Sequence, residues 1–197
     1  MTRSGPDIIA QAAGKGMEKC LARLNGASPG SWRLAALGTS EAGRIPAEPG
    51  EAPLAVRVSV SGRPRMTTLL LLAPGDAEHV NRCFVEDGLY AAFGPDRREI
   101  TLLELGNILL NALINALMNA CSMTAVPSVP ELIPPEEAAA AGGAAVHARL
   151  SAGRDGREAQ VLLLAFVPDS GLDDVLKQQQ RPDRDEGPQG DALQHRP

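Results

Sequence analysis

The segment Glu104-Leu-Gly-Asn107-Ile-Leu-Leu-Asn111-Ala-Leu-Ile-Asn115-Ala-Leu-Met-Asn119 has the apolar periodicity of one long helix. At about 100° per residue, its glutamate and four asparagines fall within roughly 120° of one another. The apolar side is predicted to face a core and consists of Leu105, Leu109, Leu113, Ala116 and Leu117. Asparagine costs about 0.5 kcal/mol against alanine in a helix, so a face that only meets water is expected to use charged residues instead. We therefore predict an amide surface that contacts a partner; the alternative is a polar stripe without a role.

Composition limits the classes of function. The chain has 197 residues, 44% of them hydrophobic, which is enough for one core or two small fused halves. A net charge of −5, no visible basic patch and 3% aromatic residues argue against a nucleic-acid partner. The three cysteines have no metal-site spacing and are predicted to be buried and reduced, namely Cys20, Cys83 and Cys121.

No apolar run approaches the roughly 18–20 residues of a membrane span, because Glu104, amides and a glycine interrupt the stretch from Leu102 to Met118. The first seven residues also lack the apolar segment of a signal peptide. We therefore expect a cytoplasmic protein without a membrane span.

The first half of the chain alternates helical and strand patterns. The predicted elements are a helix from Pro6 to Leu24, a strand from Trp32 to Leu37, a hairpin of Leu54–Ser61 with Met66–Leu72, and a short helix that Asp76 caps. Residues 38–53 are predicted to form a loop because they are rich in Gly, Pro and Ala.

The second half repeats this order. The predicted elements are the asparagine helix from Thr101 to Cys121, a strand from Ala125 to Leu132, a short helix at Pro134–Pro135, a hairpin of Ala145–Ser151 with Glu158–Phe166, and a closing helix from Pro168. Leu69–Ala73 and Val161–Ala165 occupy equivalent places.

These patterns predict an α+β fold. Pseudo-twofold duplicated units of helix, strand, hairpin and helix would form one antiparallel sheet, with two long helices packed on one face. The single domain is expected over residues 1–180, with repeats at about 5–95 and 96–180. Residues 181–197 are expected to be a disordered tail because they are rich in charge, Pro and Gly.

Common catalytic motifs are absent from the sequence. It contains no P-loop, no dinucleotide-binding glycine fingerprint, no nucleophile elbow and no zinc-spaced set. His147 is predicted to be a solvent-facing or satisfied strand residue, and His79 to lie in a surface helix. Glu104 and Asn107 remain, at the i, i+3 spacing that places both side chains on one helix face. An amide can orient a water molecule, and phosphoryl transfer depends mainly on positioning and electrostatic stabilisation.

Glu104-Leu-Gly-Asn107, followed by the amide-rich helix and Pro130, resembles the CheC/CheX/FliY family of chemotaxis phosphatases. The signature of that family is Glu, two residues, Asn, and a proline after 22 further residues, and residues 108–129 form this gap here. The resemblance extends over residues 5 to about 178 and implies a CheC-like fold.

The resemblance also implies roles for individual residues. Glu104 would pair with a lysine of a phosphorylated CheY-like response regulator, and Asn107 would orient the water that attacks its aspartyl phosphate. Ile108, Asn111 and Asn115 are expected to contact the partner. The chain itself would need no cofactor or metal, because the Mg²⁺ ion is expected on the regulator.

The sequence departs from the family pattern in two places. Ile100 stands where many members have Asp or Ser, and the first helix offers only Asp7 with Ala10, or Ile8 with Gln11, in place of a second Glu/Asn pair. We therefore predict one working site.

Two other classes of function stay open at this stage. One is a non-catalytic adapter that binds a regulator, a flagellar switch component or the deamidase CheD. The other is a homodimer that buries the asparagine face.

Overall fold

In the computed structural model, the described parts of the chain are residues 5–39, 52–61, 65–92, 95–140 and 144–166. The helices are α1 (Gly5–Ala27), α2 (Ala77–Phe84), α3 (Asp87–Ala92), α4 (Pro95–Ala120) and α5 (Pro135–Ala140), and a 3₁₀ turn covers Pro74–Asp76. The strands are β1 (Ser31–Gly38), β2 (Leu54–Ser61), β3 (Met66–Leu72), β4 (Val126–Pro127), β5 (Glu131–Ile133), β6 (Ala144–Arg154) and β7 (Arg157–Phe166). Most of the predicted loop at 38–53, the closing helix and the tail lie outside these parts.

The strands form one antiparallel sheet in the order β1-β6-β7-β3-β2-β4, and β5 also pairs with β2. Its centre is the β3–β7 pair, in which Leu69 lies opposite Leu164 and Leu72 opposite Val161. Each half of the chain therefore contributes one central strand, and the fold is the α+β arrangement that the sequence predicts.

The two long helices, α1 and α4, pack against each other on one face of the sheet. Val56, Val58 and Val60 of β2 belong to the core beneath them, because alternate residues of a strand point to the same face. The predicted core side of α4 is also confirmed, since Leu105, Leu109, Leu113, Ala116 and Leu117 are all buried. Because these side chains lie against the sheet, α4 is the core helix of the fold, although Arg98–Ala120 is long and apolar enough to span a membrane.

The opposite face of the sheet has a smaller apolar cluster. It includes Leu69 and Leu164 of the central strands and Ala138 of α5. Arg57 donates to Glu131 (Nε to Oε1, 2.8 Å) and to Glu137 (Nη1 to Oε2, 3.0 Å), which ties β2 to β5 and to the first turn of α5.

Some boundaries differ from the sequence predictions. Helix α4 begins at Pro95, six residues before the predicted start, and the short helix α3 was not predicted. The predicted strand from Ala125 to Leu132 is two short strands, β4 and β5, because Pro127 and Pro130 cannot donate ladder hydrogen bonds.

The β6–β7 hairpin is longer than predicted and turns on Asp155 and Gly156, whose φ values are 52° and 78°. Two consecutive positive φ values are typical of the two-residue turn that joins the two strands of a hairpin. The predicted cap at Asp76 is wrong, because its side chain makes no cap hydrogen bond. Its Oδ1 instead accepts from Arg157 Nη2 at 2.7 Å, since the start of β7 lies beside this turn.

Candidate functional site

A close approach between α4 and β2 positions the Glu104–Asn107 turn of the helix. Gly106 is buried there, and a Cβ at this position would lie 2.7 Å from Val56 Cγ1. The glycine side of the turn therefore faces the sheet. Glu104 is exposed and Asn107 is half-buried on the outer side of the same turn.

Glu104 and Asn107 line an open cleft of about 470 Å³ whose second wall is the segment after β4. Pro130 lies in that wall, although it is far from Asn107 in sequence. The wall is fixed to β2 because Ser128 N donates to Ser59 O (2.8 Å) and Ser59 N donates to Ser128 Oγ (3.0 Å). The structure thus brings together three residues that the sequence singles out.

Asn111 fixes the amide of Asn107. Its Nδ2 donates to Asn107 Oδ1 at 2.7 Å, one helical turn away. Within the described parts of the chain, no partner is found for Asn107 Nδ2, and Asn111 Oδ1 is buried without a donor. Asn107 therefore has N–H groups and a second oxygen lone pair for a water molecule or a partner.

The cleft has an apolar rim. Ile100 is 53% exposed and Val129 is 83% exposed, and both line the cleft. Exposed apolar groups beside a cleft with a carboxylate and an amide are typical of a surface that docks another protein.

The remaining predicted contact residues lie elsewhere. Ile108 and Asn115 line a second groove, between α1 and α4, and Asn111 borders both the cleft and the groove. The predicted amide surface is therefore divided between two concave sites, a division that helix periodicity alone does not reveal.

A row of cations on α1 was not predicted from the sequence. Lys15, Lys19 and Arg23 follow one another at four-residue spacing and line the groove opposite the asparagines. The statement that the chain has no basic patch is thus wrong at this place, and the i, i+4, i+8 spacing was the signal for it. Three cations are still few for phosphate-backbone binding.

The histidines and cysteines have structural positions. His79 is buried, with Nε2 at 3.5 Å from Cys83 Sγ, so the predicted surface location is wrong. His147 is half-buried beside Gly38 of β1, and its Nδ1 is buried without a hydrogen-bond partner in the described structure, so this nitrogen is not satisfied. Cys83 and Cys121 are buried and Cys20 is half-buried; all three are free.

Burial raises the pKa of each of the three thiols. Within the described ranges, no three His, Cys, Asp or Glu side chains are close enough together to hold a metal ion.

Comparison with known proteins finds similarity in fold. No protein-family model matches the sequence, and no curated protein matches it either. Solved structures do match: the FliM middle domain from H. pylori has 12% sequence identity over 90% of this chain and 99% of that chain, with a TM-score of 0.54. FliY from Thermotoga maritima has 13% identity over 91% and 99%, with a TM-score of 0.54. The chemotaxis protein CheX from Vibrio vulnificus has 9% identity over 79% and 99%, with a TM-score of 0.50.

These similarities confirm the resemblance at the level of the fold. The chain has the α+β architecture shared by the FliM middle domain, FliY and CheX, whose solved chains it covers almost completely. Because fold does not determine function, the chemistry must be argued from the cleft.

Proposed function

We propose that this protein accelerates hydrolysis of the aspartyl phosphate on a CheY-type response regulator. The observation that carries the proposal is the convergence of Glu104, Asn107 and Pro130 on one solvent-open cleft with an apolar rim. The exposed carboxylate of Glu104 and the amide of Asn107, which Asn111 holds in place, lie on one turn of a core helix. Both groups can enter the active centre of another protein.

In the proposed reaction, Asn107 orients a water molecule in line with the phosphorus–oxygen bond to the regulator's aspartate. The water oxygen bonds to phosphorus, the bond to the aspartate oxygen breaks and leaves a free aspartate carboxylate, and both water protons leave with the inorganic phosphate. Glu104 pairs with a lysine of the regulator and holds the two proteins in register. The Mg²⁺ ion stays on the regulator, and no covalent intermediate forms on this chain. Such catalysis is mainly positioning and electrostatics.

One site per chain is part of the proposal. Gln11 is exposed on α1, but no Glu/Asn pair accompanies it in sequence, and the side chains of Asp7 and Ile8 lie outside the described structure. We also infer that the two halves are duplicated units. The equivalent segments Leu69–Ala73 and Val161–Ala165 support this inference, because β3 and β7 are the neighbouring central strands.

A second candidate function is an adapter that docks on a regulator, a switch component or CheD without catalysis. It is favoured by the similarity to FliM, which has been solved in complex with FliG and with SpeE from H. pylori, with TM-scores of 0.53 and 0.52. Both candidates place the protein in the cytoplasm and use the same cleft for contact.

The deciding experiment measures dephosphorylation. Candidate regulators are phosphorylated with acetyl phosphate and Mg²⁺, and loss of phosphate is followed with and without the full chain. Loss of one positioning amide costs about 3 kcal/mol, so Asn107→Ala should slow turnover about a hundredfold while regulator binding persists. Gln160→Ala, which removes an exposed amide from β7, is the matched control and should keep the full rate.

Each other outcome has a clear meaning. Unchanged turnover in Asn107→Ala removes this residue from the mechanism. Binding of a phosphorylated regulator by the wild-type protein without faster phosphate loss supports the adapter instead.

A further inference from the structure

The groove between α1 and α4 has two chemically different walls. Three cations of α1, namely Lys15, Lys19 and Arg23, form one wall, and three amides of α4, namely Asn111, Asn115 and Asn119, form the other. Small side chains line the space between them: Ala12, Gly16, Ala112, Ala116 and Ala120. The groove has a volume of about 810 Å³.

The groove is locally positive on an acidic protein. None of the described residues that line it is a carboxylate, whereas the whole chain has a net charge of −5. Across the described structure, Lys15, Lys19 and Arg23 form no ion pair. Three unpaired cations beside one concave surface attract negative charge and repel other basic groups.

The amide wall matches the backbone of an extended chain. The side chains of Asn115 and Asn119 are exposed, and their amide groups form no hydrogen bond within the described structure. Residues four apart on a helix are separated by about 6 Å along its axis. An extended peptide repeats every two residues, at about 6.6–6.8 Å, so successive amides can pair with successive backbone groups of such a peptide.

A helical ligand would not use this wall in the same way. The backbone groups of a helix are already hydrogen-bonded within it, so the asparagines would face only its side chains. An extended segment with acidic residues at alternate positions would instead present its carboxylates to the cations and its backbone to the amides.

We propose that the groove binds an extended acidic segment of a partner protein. The segment lies along the helices, with carboxylates against Lys15, Lys19 and Arg23 and backbone groups against Asn115 and Asn119. This proposal is independent of catalysis in the cleft. Because Asn111 borders both sites, a bound segment would hold the rest of the partner next to Glu104 and Asn107.

The test uses the full chain and a fluorescein-labelled peptide, Ser-Glu-Ser-Glu-Ser-Glu-Ser, with binding read from fluorescence anisotropy at low salt. We expect the triple variant K15Q/K19Q/R23Q to weaken binding at least tenfold and N115A/N119A to weaken it severalfold. The matched control R33Q/R65Q/R157Q removes the same charge from residues outside the groove and should bind as the wild type does. Circular dichroism verifies that each variant is folded.

Modified probes test the extended form. N-methylation of alternate peptide groups should weaken binding to the wild-type protein, and this loss should be absent in N115A/N119A. A lysine-for-glutamate peptide should not bind. The proposal is overturned if the acidic peptide does not bind at millimolar concentration. It is likewise overturned if K15Q/K19Q/R23Q binds normally, or if a helical peptide with glutamates four residues apart, or a DNA oligonucleotide, binds more tightly.

Discussion

At the scale of single residues, the asparagine pair on α4 determines how one amide faces the cleft. Asn107 could rotate freely if it were alone on the helix surface. The hydrogen bond from Asn111 Nδ2 to Asn107 Oδ1, at 2.7 Å, selects one orientation of the Asn107 amide. Asn111 is therefore a positioning residue in the proposed reaction, whereas the sequence suggested only a partner contact.

This role predicts a specific kinetic effect for Asn111→Ala. A neutral hydrogen bond contributes about 1 kcal/mol, so the variant should lower kcat for regulator dephosphorylation about fivefold. KM should change little, because Glu104 and the apolar rim remain. Single-turnover phosphate release at saturating protein measures the effect. A change in KM with kcat intact would assign Asn111 to docking instead.

The carboxylate of Glu104 predicts the opposite kinetic pattern. It is exposed and one turn from Asn107, so in the proposal it contributes to association with the regulator. Glu104→Gln keeps the side-chain shape and removes the charge, and it should raise KM by roughly 1.4- to fivefold, as expected for one exposed ion pair of about 0.2–1 kcal/mol. The effect should shrink as salt is added, because screening weakens exposed pairs. An unchanged KM at low salt would contradict the proposed ion pair.

At the scale of elements, the crossing of α1 and α4 depends on a glycine. A Cβ at Gly16 would lie 2.3 Å from the Cβ of Ala116, which is closer than packed atoms can be. The crossing shapes the floor of the groove and holds α4 on the sheet. A Cβ added at Gly26, near the end of α1, would instead lie in open space.

The two glycines therefore predict opposite changes in stability. Gly16→Ala should lower the free energy of unfolding by about 1–2 kcal/mol, because the overpacking cost of about 1–3 kcal/mol exceeds the gain in helix propensity. Gly26→Ala should raise it by about 0.5 kcal/mol, because only the propensity gain applies. Urea unfolding of both variants measures the difference. Equal effects would show that the helices separate without cost.

Some elements were predictable because local chemistry determines them. The β2–β3 hairpin has its predicted bounds, since the alternation of apolar and polar residues along β2 leaves one register. The early start of α4 was missed although Pro95 is a typical first helical residue, and α3 is too short for a clear period. The break between β4 and β5 follows from Pro127 and Pro130, which cannot donate ladder hydrogen bonds. Whether a missing donor interrupts a strand depends on how the neighbouring strand pairs with it.

The candidate site was only partly predictable for a different reason. Helix periodicity places Glu104 and Asn107 together, because both lie on one element. Pro130 was assigned by resemblance, and its place in the cleft depends on how β4 packs on β2. The cationic groove requires α1 to lie beside α4, which is a tertiary contact that no local pattern encodes.

At the scale of the whole molecule, the distribution of charge bears on self-association. A twofold dimer that buries the asparagine face would place the groove of one copy against the groove of the other, with Lys15, Lys19 and Arg23 of both copies near the same interface. Such clustering of like charge is unfavourable, so we expect a monomer at micromolar concentration in low salt. Sedimentation velocity tests this expectation. A stable dimer that dissociates in N115A/N119A would assign the amide face to a subunit interface.

The buried thiols predict how the stability of the whole fold responds to alkaline pH. Burial raises the pKa values of Cys20, Cys83 and Cys121, so the folded state keeps their protons at a pH where the unfolded chain releases them. This contribution to stability is fully present below the ordinary thiol pKa of about 8.5 and is lost as pH rises through the raised folded values. Other groups still titrate in C20S/C83A/C121A, but above about pH 8 the free energy of unfolding should fall more steeply in the wild type than in this variant. Denaturant melts with reductant at each pH measure both slopes, and identical slopes would show that the thiols titrate as they do in the unfolded chain.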